Sequence, residues 1–331
     1  MSQTMSSFPF ASARVKALEG RLITKEKIAR IIEAKDYDAA LRALGELGYG
    51  QPSPAGASVE QLIDKELADA DALLIAVSPS DTFTKIMRGG RDFGNMKVLV
   101  KLLMQDKPLD SVPLTPGSIP VETLRRAISE NSYRDLPETM TAGLHYIDRR
   151  FAAAADASIV GLALDRAYAK EIRNLLAELK DPLVTEYFEA YFDLTNFIAL
   201  MRVRAAGYGK ETFERVFVKG GTVERCVFAK AFDVPDEGVM AAALPREYRY
   251  ALADAFAEYQ KTGSLYMLEK ARDDYLLAML EKARDDMFGV GPLMGYYIAR
   301  QREAEAVRLV MTAKLGGISD ETVTARLKEL Y

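Results

Sequence analysis

One motif occurs three times in this chain, and its repetition limits the folds that the sequence can adopt. The copies are Asp92–Lys101, Asp193–Arg202 and, in a weaker form, Glu303–Thr312. Each begins with an acidic residue and continues through a short polar gap into an apolar run. A carboxylate in that place is typical of a helix start, where it accepts hydrogen bonds from unpaired backbone N–H groups. We therefore predict structural helix-start motifs at Asp92, Asn95, Asp193, Asn196 and Glu303.

The repeat extends upstream of the motif with nearly constant spacing. The acidic residues Asp64 and Asp92 are 28 residues apart, as are Asp165 and Asp193, while Glu269 and Glu303 are 34 apart (92 minus 64, 193 minus 165, 303 minus 269). A repeat of this length, about a hundred residues, exceeds the short periods of solenoid proteins. The spacing predicts three similar units, with approximate boundaries at residues 1–112, 113–221 and 222–331.

Helical periodicity dominates the chain, and strand signals are scarce. From Ser58 the apolar residues recur at spacings of three and four, Gln61 is placed to complete a capping box, and the helix should end at Pro79. The segment Phe213–Phe232 is rich in β-branched and aromatic residues, yet its place in the repeat predicts a helix, a turn and a second helix. The expected fold class is all-α, with three pseudo-repeated helical bundles.

Glycines suggest where these helices are interrupted. Gly89 and Gly90 stand just before the first motif and predict a break in the chain there. A helix expected over Tyr146–Lys180 should break or bend near Gly161. The motif helices would then begin after such interruptions.

Composition excludes several classes of function. The chain has 331 residues, 49% hydrophobic residues, and 44 Lys and Arg against 48 Asp and Glu, so it can bury a core and has no basic block that predicts binding to nucleic acid. Residues Met1–Phe10 lack the pattern of a secretory signal, and no apolar run is long enough to span a membrane. The single cysteine, Cys226, excludes a disulfide framework, and we expect it to be a small buried residue.

No catalytic, cofactor-binding or metal site is predicted, and no small-molecule substrate. Gly207–Lys210 resembles a phosphate loop but lacks the required glycine and hydroxyl residue, and Gly289–Gly295 lacks the dinucleotide spacing. The only histidine, His145, has no cysteine or second histidine as a co-ligand. The repeated carboxylates could be imagined as acid–base pairs, but an active site seldom needs several copies in one chain.

The ends of the chain resemble a known family. Phe8–Glu19 is similar to its aromatic, x, aromatic, small, Asn, Ala, Arg, Val opening, although Ser12 replaces the usual asparagine, and Phe8 and Phe10 replace tyrosines. Tyr37–Gly50 and the three repeated motifs are also of the family's kind. The most specific match is the stretch from Gly291 through Gly317 with the closing Arg326–Tyr331. The family is the C subunit of archaeal and bacterial A/V-type rotary ATPases, equivalent to the d subunit of eukaryotic vacuolar enzymes, and the resemblance covers nearly the whole chain.

This resemblance implies both a fold and a function. The fold would be an all-helical funnel of three bundles around a pseudo-threefold axis. The function would be that of a non-catalytic central-stalk subunit, peripheral on the cytoplasmic face of the membrane. It would link the shaft subunits D and F to the proteolipid (c/K) ring, transmitting torque between ATP hydrolysis or synthesis and translocation of H⁺ or Na⁺.

Two alternatives remain from the residues alone. A helical scaffold or protein-interaction module unrelated to ion transport would have the same sequence physics, and an enzyme is the third possibility. Within the leading hypothesis, Lys101 and Arg202 occupy equivalent places in two repeats and are candidate contacts to the shaft or ring. The competing interpretation is that both are solvent-facing side chains whose stems cover apolar surface.

Overall fold

The computed structural model describes residues 7–52, 54, 56–151 and 158–331, and the helices in those residues number sixteen. No strand occurs in the described residues, so the predicted all-α class is confirmed. The helices are α1 (Ser7–Glu19), α2 (Lys25–Ile32), α3 (Tyr37–Glu46), α4 (Val59–Val77), α5 (Asp81–Met104), α6 (Val121–Ser129), α7 (Glu138–Phe151), α8 (Ser158–Leu179), α9 (Pro182–Ala205), α10 (Lys210–Val216), α11 (Arg225–Ala231), α12 (Asp236–Ala243), α13 (Arg246–Thr262), α14 (Tyr266–Lys282), α15 (Gly291–Gly316) and α16 (Asp320–Arg326).

The chain forms two compact units. The terminal unit contains the described residues up to Pro79 together with Asp254–Tyr259 and Tyr266–Tyr331. The central unit contains the described residues of Ser80–Ala253 together with Gln260–Leu265. The division into three repeats at residues 1–112, 113–221 and 222–331 stays a prediction.

Helix α15 is the centre of the terminal unit. It packs against α1, α2, α3, α4, α14 and α16, and most of its residues are buried. Its Val307 and Val310 share a core cluster with Ile31, Leu44 and Ile63 from α2, α3 and α4. Burial of each such side chain stabilises the fold by about 1.5–3 kcal/mol. Both ends of the sequence therefore contribute to one hydrophobic core.

Helix α4 forms as its sequence predicts. The Gln61 backbone N–H donates to Ser58 Oγ at 3.3 Å, and the Ser58 N–H donates to Gln61 Oε1 at 2.9 Å, which completes the capping box. The helix ends at Val77, two residues before Pro79. Start and end are both confirmed.

The central unit is built around α5, α8 and α9. Helix α8 packs against α5, α7 and α9, and α9 also packs against α10 and α11. The predicted helix–turn–helix in Phe213–Phe232 is confirmed by α10 and α11. Its aromatic residues fill a core rather than a strand face, because the Phe213 ring lies 6.1 Å from that of Phe217 and 6.0 Å from that of Phe228.

The glycines expected to interrupt helices lie inside them. Helix α5 runs without a break through Gly89 and Gly90, so that prediction is wrong; its start is fixed upstream, where the Phe83 N–H donates to Ser80 Oγ at 3.1 Å. A Cβ added at Gly90 would lie 3.5 Å from the Tyr168 hydroxyl oxygen, which is an ordinary van der Waals contact. Gly161 is likewise inside α8, which begins three residues before it.

Residues 1–6, 53, 55 and 152–157 lie outside the described residues. The first stretch belongs to the segment expected to lack a secretory signal, and the last lies inside the helix expected over Tyr146–Lys180. Among the described residues, no helix combines the length and the apolar character needed to cross a membrane.

Candidate functional site

The repeated motif does not mark helix starts. Asp92 and Asn95 lie inside α5, Asp193 and Asn196 inside α9, and Glu303 inside α15, so those predictions are wrong. The acidic residue follows the first residue of its helix by 11, 11 and 12 residues (92 minus 81, 193 minus 182, 303 minus 291). The pattern resembles a cap because a carboxylate does bind backbone N–H groups, but those groups belong to loops distant in sequence.

In the first copy, α5 holds the loop that precedes α6. Asp92 accepts hydrogen bonds from the backbone N–H groups of Ser118 and Ile119, both at 3.0 Å. One turn later on the same face, Asn95 Nδ2 donates to the carbonyl oxygen of Thr115 at 2.7 Å. Burial raises the pKa of Asp92 to about 6, although the two N–H bonds favour its ionised form.

In the second copy, α9 holds the loop that precedes α11 in the same way. Asp193 accepts from the Thr222 N–H at 2.9 Å, the Thr222 hydroxyl at 2.8 Å and the Val223 N–H at 3.0 Å. Asn196 makes two bonds with the Val218 backbone, accepting from its N–H at 3.0 Å and donating to its carbonyl oxygen at 2.8 Å. Burial also raises the pKa of Asp193, against the opposing effect of these donors.

A glycine allows each loop to approach its carboxylate. A Cβ added at Gly117 would lie 1.9 Å from Asp92 Oδ1, and a Cβ added at Gly221 would lie 1.9 Å from Asp193 Oδ1. No side chain fits in that space. The glycine downstream of each of these two motifs is therefore part of the contact that the motif makes.

The third copy uses a longer carboxylate and an arginine. Glu303 Oε1 accepts from the backbone N–H of Ile23, in the loop before α2, and Glu303 Oε2 accepts from Arg300 Nη1 at 2.7 Å. Arg300 Nη1 also lies 3.0 Å from Glu66 Oε2. Burial raises the pKa of Glu303 to about 7, although the charge of Arg300 and the Ile23 N–H oppose the shift.

Arg300 organises the polar groups around this third carboxylate. Its Nε donates to the Tyr296 hydroxyl at 2.9 Å, and its guanidinium lies 5.3 Å from the centroid of the Tyr296 ring. Glu66 extends the network to another loop, because its Oε1 accepts from the Gly50 N–H at 2.8 Å. A buried cation thus joins two carboxylates that each hold a loop.

We call the contacts of Asp92, Asp193 and Glu303 with their loops the carboxylate clamps. In each clamp a buried carboxylate on a long helix satisfies backbone N–H groups that would otherwise lose hydrogen bonds on burial, at a cost of about 1–3 kcal/mol for each unpaired donor. The carboxylates are 3%, 0% and 2% exposed, respectively. Their chemistry is that of fixed acceptors, which lock loops to helices.

The two candidate contact residues lie at matching ends of their helices. Lys101 is in the last turn of α5 and Arg202 is in the last turn of α9, and both are exposed. A cation in the last turn interacts favourably with the helix dipole. Large apolar side chains are exposed nearby in sequence, with Leu103 52% and Tyr208 63% exposed.

The other residues considered from the sequence are dispersed. His145 is exposed, with Nδ1 3.8 Å from Asp148 Oδ2 and its ring 5.3 Å from that of Tyr133. Cys226 is exposed on α11, so the expectation that it is buried is wrong. In the part of the chain that the structure describes, no group of three or more His, Cys, Asp or Glu residues could hold a metal ion.

Sequence reasoning missed the partners of the motif. The loop before α2, which contains Ile23, is far in sequence from Glu66, Tyr296 and Arg300. Nothing in the local pattern of α15 shows that Glu303 binds this loop. The signal available was the glycine after each of the first two motifs. Gly117 and Gly221 lie 25 and 28 residues after Asp92 and Asp193 (117 minus 92, 221 minus 193), and glycine is the residue that lets a backbone approach a neighbouring element closely.

Comparison with known proteins gives a consistent result. The family model described as ATP synthase (C/AC39) subunit matches residues 11–326. The C subunit of the A-type ATP synthase of Methanocaldococcus jannaschii is 24% identical over 354 residues, which cover 98% of this chain and 87% of the relative.

Two further relatives cover both chains almost completely. The C subunit of the V-type sodium ATPase of Enterococcus hirae is 23% identical over 324 residues, covering 96% of this chain and 97% of the relative. Its counterpart in the A-type ATP synthase of Haloferax volcanii is 24% identical over 355 residues, covering 99% of each chain. The similarity therefore concerns the full length and not one segment.

Proposed function

Because the chain belongs to the ATP synthase (C/AC39) subunit family, we propose that it is the non-catalytic central-stalk subunit of an A/V-type rotary ATPase. In this role it links the D and F shaft subunits to the proteolipid ring on the cytoplasmic face of the membrane. It transmits torque between ATP hydrolysis or synthesis and ion translocation. The full-length similarity to C subunits of A-type and V-type enzymes carries the proposal.

The internal construction of the chain supports a torque-transmitting role. A connector must not absorb rotation by local yielding, so its long elements have to be tightly packed and its loops fixed. Helix α15 has 26 residues, which is a length of about 39 Å. The carboxylate clamps fix loops to α5, α9 and α15 through hydrogen bonds to carboxylates that are at most 3% exposed.

Contact residues form a separate part of the proposal. Lys101 and Arg202 are exposed in the last turns of α5 and α9, close in sequence to the exposed Leu103 and Tyr208. Partner surfaces commonly combine an apolar anchor with a cation at the rim. We assign these two helix ends to contacts with the shaft or the ring.

The first experiment tests the role in the complex. An affinity-tagged full-length chain is expressed in its own host, and membranes are solubilised gently. The proposal expects the tagged chain to bring down the shaft subunits, the proteolipid and ATPase activity together. Recovery of the chain without any of these subunits, under conditions that keep the ATPase intact, would overturn it.

The second experiment tests the contact residues. The double variant Lys101→Glu with Arg202→Glu is compared with a control pair, Lys85→Glu with Arg149→Glu, whose side chains are also exposed. We expect the first pair to reduce co-purification and ATP-driven ion pumping, and the control pair to leave both unchanged. Full assembly and pumping with the first pair would remove the assigned contact while leaving the subunit role intact.

A further inference from the structure

A basic cleft lies on the surface of the central unit. Its side chains come from three places: Arg166, Lys170 and Arg173 on α8, Lys219 in the loop between α10 and α11, and Arg225 at the start of α11. The α8 residues follow one another at spacings of four and three, which places them on one helix face. Together they line a cavity of about 260 Å³ with Phe217 and Glu214. We call these five cations the basic cleft.

These cations are poorly neutralised by the protein. Arg166 Nη2 donates to the backbone carbonyl oxygen of Glu214 at 3.2 Å. Within the described residues, none of the five cations makes an ion pair with a carboxylate. Elsewhere in the central unit, basic side chains do have acidic partners, since Arg204 pairs with Asp236 at 2.6 Å and Lys210 with Asp233 at 3.1 Å.

Acidic side chains near the cleft do not balance its charge. An adjoining cavity of about 480 Å³ shares Arg173, Phe217, Lys219 and Arg225 with the first and is also lined by Glu189 and Glu224. With Glu214, that gives three carboxylates beside five cations. Gathering like charges on one surface costs free energy unless a counter-charge is bound.

The loop that carries Lys219 is held rigidly on both sides. Asn196 makes two hydrogen bonds with the backbone of Val218, and Asp193 accepts from the backbone of Thr222. Between these points Gly220 lies so close to α9 that an added Cβ would be 2.4 Å from the Phe192 ring. Lys219 is therefore presented from a preorganised loop, which lowers the entropy cost of binding.

The first repeat provides an internal control. Its loop is held by Asn95 and Asp92 in the same way, yet the residues that follow the equivalent anchor points are Pro116 and Val121, not Lys219 and Arg225. The clamp consequently forms without these cations. Their presence in the second repeat needs a reason other than the fold.

From these observations we propose that the basic cleft binds a phosphate-bearing anion with at least two negative charges. Arginine presents a planar fork that matches phosphate oxygens, and lysine supplies additional point charges. One carboxylate side chain would leave most of the cleft charge unpaired. The cavity is close to the lower end of small-molecule sites, about 300 Å³, which suits a phosphate group and the atoms next to it.

Two sources can supply this chemistry, a soluble polyphosphate and the headgroup of an acidic phospholipid. The proposal depends on the central unit alone and not on the assigned role in a rotary ATPase. If the subunit role failed, the cleft would still be expected to bind the anion.

The test uses the purified full-length chain. Sodium pyrophosphate is titrated by calorimetry, and sedimentation is measured with phosphatidylglycerol vesicles and with phosphatidylcholine vesicles as a neutral control. We expect the double variant Lys219→Gln with Arg225→Gln to weaken binding by at least about tenfold. The matched control is Lys85→Gln with Lys230→Gln, which removes the same charge from exposed sites outside the cleft.

The outcomes separate the sources. Cleft-dependent binding of pyrophosphate without vesicle binding identifies a soluble anion, and cleft-dependent binding to phosphatidylglycerol alone identifies a lipid headgroup. The proposal is overturned if neither probe binds, if both pairs of substitutions weaken binding equally, or if a polyglutamate peptide binds the cleft more tightly than pyrophosphate. Circular dichroism and urea midpoints confirm that each variant is folded, and Arg173→Gln provides a second, single-site reduction in binding.

Discussion

The clamp formed by Asp92 predicts an unusual pH dependence of stability. Asp92 is 3% exposed, and its pKa is raised from 3.8 to about 6 in the folded chain. In the folded state the Asp92 carboxyl therefore keeps its proton at pH values at which the same carboxyl has lost its proton in the unfolded state. Because the state that binds more protons is favoured as pH falls, this residue contributes most stability at low pH. That contribution is lost as pH rises from about 4 to about 6.

The magnitude follows from the two pKa values. For one group with a folded pKa of about 6 and an unfolded pKa of 3.8, the contribution falls by about 2 kcal/mol between about pH 4.5 and about pH 7.5. Asp92→Asn cannot titrate, so it lacks this slope. The free energy of unfolding of the wild type, minus that of the variant, should therefore be about 2 kcal/mol smaller at the higher pH.

Urea unfolding followed by circular dichroism at the two pH values measures this difference. Asp110→Asn is the control, because Asp110 is an exposed aspartate in the same unit. Its difference from wild type should be the same at both pH values. If Asp92→Asn behaved like the control, or if the wild type gained relative stability at the higher pH, the assignment of a raised pKa to Asp92 would be wrong.

Two further predictions concern the buried polar groups. Asn196→Ala removes two hydrogen bonds to Val218 and should lower the free energy of unfolding by about 2–4 kcal/mol. Asn95→Ala removes only the bond to Thr115 and should lower it by about 1–2 kcal/mol. Equal decreases in the free energy of unfolding, measured by urea denaturation, would contradict this order. Arg300→Met leaves buried carboxylates without their counter-charge and should cost about 3–5 kcal/mol at neutral pH, so a wild-type thermal midpoint would refute it.

The sequence was sufficient for the fold class and for local signals. Spacing of apolar residues predicted an all-helical chain, and Ser58 with Gln61 predicted the start of α4, because capping involves groups three residues apart. The resemblance in the motifs of the chain also indicated the family. These signals succeed since the interacting groups are close in sequence or follow a regular period.

The partners of the motif could not be predicted in this way. Asp193 binds backbone groups 29 and 30 residues later, and Glu303 binds one 280 residues earlier. A local pattern cannot distinguish these distant partners from the N–H groups of the residue's own helix, and so the sequence suggested caps.

The basic cleft was missed for a related reason. Arg173 and Lys219 lie 46 positions apart in a segment of mixed charge (219 minus 173), and the nearly balanced composition of the whole chain concealed their convergence. Only the packing of α8 beside the loop before α11 brings these cations together.

The shared core of the terminal unit affects how the chain folds during synthesis. Helices α2, α3 and α4 are complete once Val77 has been made, but α15, against which they pack, begins at Gly291. At about 5–20 residues per second, the ribosome adds the intervening segment in roughly 10–40 s. During that interval the faces around Ile31, Leu44 and Ile63 lack the helix that covers them, so the nascent chain should depend on chaperones until its C-terminal part emerges.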